Sequence, residues 1–225
     1  MAGSIMLYAA LLLAGVLVAA GLALEIAPRL RGRGWSLERV RRVMAAHPLP
    51  AVAWIETGCW LLLIVPLLDH AFGLWGSTTG QVVWFLTIGP HEIGHVLCIP
   101  FGEFLAIAGG SIWQVLFWLL PGLWALLARR QIMVPLLLWT VAGHSLINLA
   151  VYVGDARTRA LPLLFGLGED AHDWWNLLRM TGLLEADHTL AVLAGLSGVA
   201  LVLACIAGGV LTTWLVPRLG LGRRF

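Results

Sequence analysis

The sequence predicts an all-α integral membrane protein of about six transmembrane helices, organised as one polytopic membrane domain over residues 1–225. Three observations carry this reading. Hydrophobic residues make up 60% of the 225 and charged residues only 12%, with a mean hydropathy of +0.90, which leaves no room for a sizeable soluble domain. The apolar residues fall into runs of about twenty, the length a helix needs to cross the hydrocarbon core. Inside one of these runs stand His91, Glu92 and His95. Ionisable groups are costly in lipid, so three within five residues mark a functional site.

The basic residues are all Arg, with no Lys, and the formal net charge is +2. They collect at segment ends, so no nucleic-acid surface is expected. Cys59, Cys98 and Cys205 are widely spaced in apolar segments and form neither a disulfide framework nor a C-x-x-C metal pair.

Residues 4–24 are almost wholly apolar, and Arg29, Arg31 and Arg33 follow them. That flank is the reverse of a secretory signal, so a retained span is expected with the N-terminus outside. Six arginines between 29 and 42 mark the cytoplasmic side, and residues 36–46 read as a basic amphipathic helix on the membrane surface. A second span covers 50–68 and a third 80–99. The third contains Pro90, which removes a backbone hydrogen bond and is expected to kink the helix. Residues 101–110 are too short for a span, and glycines at 102, 109 and 110 suggest a hairpin or re-entrant segment, tolerated where it lines a cavity. The fourth span is 111–127, the fifth 132–153 and the last 189–216. Between the last two, residues 170–184 read as an interfacial helix with Trp174 and Trp175 at headgroup level. This order puts nine arginines inside and five outside. The expected setting is a bacterial inner (plasma) membrane.

The chemistry concentrates in His91-Glu92-Ile93-Gly94-His95. Two histidines one helical turn apart sit about 40° from each other around the axis, so both imidazoles reach one point. That point suits a zinc ion. Glu92 lies off this axis and is placed to take a proton from an attacking water. A catalytic zinc usually has three protein ligands. In the fifth span His144, Asn148 and Asp155 share one face. Asp155 is the expected third ligand, with His144 as its rival and Glu103 as a weaker alternative. Asn148 is a candidate clamp for a substrate carbonyl. His172 and Asp173 lie on the interfacial segment, away from the expected ligand set.

This combination resembles the site-2 protease family of intramembrane zinc metalloproteases. There, H-E-x-G-H sits on a transmembrane helix, a membrane-associated hairpin follows, and a later span carries an asparagine and then an aspartate that is the third ligand. His91, Glu92, Gly94 and His95 match the first motif; Asn148 and Asp155 resemble the second. The resemblance covers about residues 80–156. The family's proline after the asparagine and glycine after the aspartate are missing: Ala150-Val151-Tyr152 and Ala156 stand in that region. The resemblance implies zinc at His91, His95 and Asp155, with Glu92 and Asn148 catalytic. It also implies a substrate that is a single-span membrane protein or peptide in the lipid bilayer. The same metal and Glu92 would also serve hydrolysis of a lipid amide or ester, and a non-catalytic metal-binding membrane protein is the third reading.

Overall fold

A computed structural model describes residues 51–71 and 78–218. The expected span at 4–24 and the surface helix at 36–46 lie outside the described residues. The described residues are helical throughout, with turns and short 3-10 segments but no strand. Five helical stretches among them are long and apolar enough to cross a membrane: Ala53–Ala71, Gln81–Phe101, Glu103–Leu127, Met133–Gly154 and Leu184–Leu215.

Helices α1 (Ala51–Leu62) and α2 (Val65–Ala71) share the first stretch. The break between them has a local cause. Pro66 has no N–H, and its ring clashes with the carbonyl four residues back, at Leu62. Tighter bonds from Leu63 N to Trp60 O and from Ile64 N to Leu61 O, both 3.1 Å, carry the chain across the break.

Helix α3 (Thr78–Cys98) carries the H-E-x-x-H motif and runs unbroken through Pro90. A 3-10 turn at Ile99–Phe101 ends it, and α4 (Glu103–Leu127) begins directly after Gly102. Gly102 has φ 95° and ψ 167°, a conformation in which a Cβ is disfavoured. The expected hairpin at 101–110 is therefore corrected: Pro100 and Gly102 alone turn the chain, and 103–110 are the first turns of one 25-residue helix. Gly109 and Gly110 serve helix contacts instead. A Cβ on Gly109 would lie 2.5 Å from Gly94 O and 2.6 Å from Cys98 Sγ. The two glycines thus let α3 and α4 touch backbone to backbone, the small-residue packing that membrane helices favour.

Helix α5 (Met133–Gly154) packs most extensively on α7 (Asp187–Arg218). A second glycine pair makes this crossing close: a Cβ on Gly143 would lie 2.9 Å from Gly198 O, and one on Gly198 would lie 2.5 Å from Gly143 O. The core beside it holds Trp60, Leu136, Ile147, Val202, Cys205 and Ile206. Arg157, just past α5, donates to the fully buried Asp187 at 2.8 Å and ties the start of α7 to the end of α5.

Between these helices lies α6 (Asp173–Thr181), shorter than the expected 170–184. His172 caps its start, its Nδ1 accepting from Trp175 N at 3.2 Å. Gly182 ends it in the left-handed region (φ 70°), with Leu183 N donating to Leu178 O at 2.8 Å as such terminations do. Trp174 Nε1 donates to Ser111 Oγ at 3.0 Å and pins α6 against α4. The Trp175 ring is approached by Arg159 at 4.7 Å and by Arg179 at 4.3 Å, contacts worth about 0.5–1 kcal/mol each where exposed.

Candidate metal centre

His91 and His95 stand on the face of α3 that meets α4. The helix spacing brings the rings together, with centroids 4.7 Å apart at an interplanar angle of 82°. Gly110 of α4 makes the room: a Cβ there would collide with both imidazoles. The Nε2 atoms are 3.0 Å apart. Asp173 Oδ2 lies 3.0 Å from His91 Nε2 and 3.3 Å from His95 Nε2. Among the described residues these three make up the group of His, Cys, Asp and Glu side chains able to share a metal ion.

The outer nitrogens settle what the inner ones can do. Gln114 Nε2 donates to Ser145 O at 3.1 Å, which turns its Oε1 toward His91 Nδ1 at 2.9 Å. His91 Nδ1 must therefore donate. His95 Nδ1 donates to Ala106 O at 2.8 Å. In the neutral rings both Nε2 atoms then carry lone pairs, and they face each other and a carboxylate oxygen. Three electron-pair donors this close need a shared cation, either a proton or a metal ion. Donors tetrahedrally placed about 2.0–2.1 Å from a zinc ion stand about 3.3 Å from one another, close to the 3.0, 3.0 and 3.3 Å observed. Second partners that fix each ring in this way are the usual surroundings of metal-bound histidine. The residues fit zinc.

Asp173 is placed by α6. It is the first residue of that helix, and its N–H donates to Tyr152 Oη at 3.0 Å. Burial works to raise the Asp173 carboxyl, but His91 and His95 hold it below the usual carboxylate value.

The expected third ligand, Asp155, is not brought to the histidines. It ends α5, where its Oδ1 accepts from Thr158 Oγ1 at 2.6 Å and Ala160 N at 3.0 Å, and its Oδ2 from Leu161 N at 2.9 Å. Burial pushes its carboxyl up, and these donors together with His172 hold it lower than usual. Its role is to fold the loop that follows α5. His172 Nε2 faces Asp155 Oδ2 at 3.5 Å, beyond a good hydrogen bond, and burial lowers the His172 pKa despite both neighbouring acids. The rival, His144, is turned away too: its Nε2 meets Leu63 O at 3.3 Å, a carbonyl at the α1–α2 break. Glu103 is exposed at the start of α4.

Glu92 and Asn148 stay with the site. Both line a cavity of about 530 Å³ together with His91, His95, Tyr152 and Asp173. The rest of the wall is mainly apolar and includes residues 161–164 of the loop after α5. Asn148 Nδ2 donates to Thr87 Oγ1 at 3.3 Å, and that hydroxyl donates to Trp84 O at 2.9 Å.

Asp173 is thus the site residue that helical periodicity missed. Its one sequence signal was the His172-Asp173 pair in the longest polar stretch between spans. No protein-family model, no curated protein and no solved structure matches this chain.

Proposed function

We propose that the protein is a membrane-embedded zinc hydrolase that cleaves a peptide bond of a membrane-embedded substrate. One observation carries the reading: two imidazole nitrogens, each fixed as an acceptor by a carbonyl behind its ring, converge on one carboxylate oxygen beside a glutamate-lined cavity. His91, His95 and Asp173 would hold the metal. Zinc, when bound, supplies a Lewis acid that makes water nucleophilic near neutral pH.

The chain's own residues do the rest. Glu92 adjoins His91 in sequence and lines the cavity. It takes the proton from water as the oxygen bonds to the substrate carbonyl carbon. It returns that proton to the nitrogen as the carbon–nitrogen bond breaks. Asn148 steadies the substrate backbone from the same wall. The apolar remainder of the cavity suits an apolar chain and thins the water around the reacting atoms. The setting we propose is a bacterial inner membrane with the N-terminus outside. Nine of the fourteen arginines, including Arg157, Arg159 and Arg179, then share the cytoplasmic side and five lie outside, an excess in the direction that the positive-inside rule favours.

The test is incubation of zinc-loaded, detergent-purified protein with a single-span membrane peptide, read by mass spectrometry. Two fragments are expected from wild type and none from Glu92→Gln. An intact peptide beside wild type contradicts the peptidase reading, and turnover of an ester or amide lipid in its place would reassign the substrate.

A further inference from the structure

We propose that Tyr152 is a further catalytic residue of this site, its phenol hydroxyl donating a hydrogen bond to the substrate oxygen that gains negative charge during hydrolysis. The proposal rests on the hydrolase reading above.

Tyr152 lies one helical turn after Asn148 on α5 and lines the cavity with Glu92 and the three proposed metal ligands. Its ring is held from two sides. The His172 ring lies 4.3 Å away at an interplanar angle of 35°, and the His91 ring 6.1 Å away at 67°. Its oxygen is held by a third contact, the 3.0 Å bond from Asp173 N. The phenol oxygen is therefore anchored beside the residue that completes the ligand set.

The direction of that bond decides what the phenol can do. Oη accepts the Asp173 N–H, so one lone pair is occupied, and the hydroxyl proton lies within reach of the Asp173 carboxylate; with that carboxylate engaged by a metal, the proton is released to a substrate oxygen. A donor aimed into an acceptor also polarises that acceptor's own O–H, so the phenol becomes a stronger donor. A fixed donor costs no reorganisation when negative charge develops, which is the condition for strong stabilisation of the transition state. The phenol keeps its proton throughout; only a hydrogen bond forms and strengthens.

Asn148, the other polar side chain of α5 in the cavity, commits one of its two amide N–H groups to Thr87, whose hydroxyl is spent on Trp84 O, and keeps the second for the substrate backbone. The competing role for Tyr152 is to steady the Asp173 carboxylate. That role predicts loss of metal, whereas oxyanion donation predicts loss of rate with the metal retained.

The experiment compares wild type with Tyr152→Phe, and with fluorotyrosine at position 152, which restores the hydroxyl. Three quantities are read: zinc per chain, kcat and KM on a fluorogenic apolar peptide, and affinity for a phosphinate analogue of that peptide, a tetrahedral anion. For Tyr152→Phe the expected result is unchanged zinc and KM, with kcat lower by about 10²-fold, the usual effect of losing one such donor. Phosphinate affinity should fall by a similar factor, and fluorotyrosine should restore both. Tyr152→Phe with wild-type kcat and phosphinate affinity overturns the proposal and leaves the hydrolase reading standing. Loss of zinc in Tyr152→Phe overturns it in favour of the positioning role. A wild type that holds no zinc overturns both.

Discussion

Glu92 is the residue whose removal separates metal binding from chemistry. It contributes no atom to the three-donor group, so Glu92→Gln should keep zinc while hydrolysis drops by roughly 10²–10⁴-fold, the usual contribution of a positioned acid–base group. Asp155 gives the converse case. Its carboxylate organises three donors of the following loop, and its pKa is depressed. A depressed folded value means its stabilisation is present above the unfolded aspartate value, about 3.9, and is lost as pH falls through the lower folded one. Asp155→Asn should therefore lower Tm at pH 7, by an amount equivalent to about 1–3 kcal/mol, with zinc retained. The gap between variant and wild type should close in thermal scans carried to pH 3 and below. The two acids also show where residue-level reading stops. His91 and His95 are legible because four residues on one helix fix their relation whatever the fold. Asp173 is 82 residues from His91 on another element, and no periodicity links them. Asp155 shares a face with Asn148 but sits at a helix end, where nearby amides claim a carboxylate.

At the scale of elements, glycine decides which helices can meet. The Gly94–Gly109 contact sets the approach of α3 to α4, and Gly110 leaves the space the imidazoles fill. Gly110→Val should abolish zinc binding, because the added carbons occupy the position of the rings. Gly58→Ala, which meets nothing within 4 Å, should leave zinc content unchanged. Metal analysis of folded, monodisperse protein distinguishes the two. The helices themselves were readable from apolar run length, since a span needs about twenty such residues. Their joints were less so. A glycine-rich stretch reads equally as a turn or as a contact face, and only the partner helix reveals that 109 and 110 are the second. A short helix around Trp174 and Trp175 was legible in the sequence, but its docking through Trp174 and Ser111 was not.

For the whole molecule, five helices long and apolar enough to cross a membrane predict an alternation of sides. If each crosses once, Gly102 and the loop after α5 fall on one side, and the Arg129–Arg130 turn falls on the other. In a variant with its native cysteines replaced, a single cysteine at Thr158 should react with an impermeant thiol reagent from the side opposite to one at Arg130. Labelling of both from one side would contradict the five-span arrangement. This alternation also places Asp173, on the loop side, against the ends of α3 and α4 that carry the histidines and Gly110. One site thus draws on three segments distant in sequence. The most direct test of that assembly is zinc per chain in purified wild type, His91→Ala, Asp173→Ala and Asp155→Asn, each checked for folding by size exclusion. About one zinc in wild type and in Asp155→Asn, with little in the other two, is the predicted result. Zinc retained in Asp173→Ala and lost in Asp155→Asn would contradict the proposed centre.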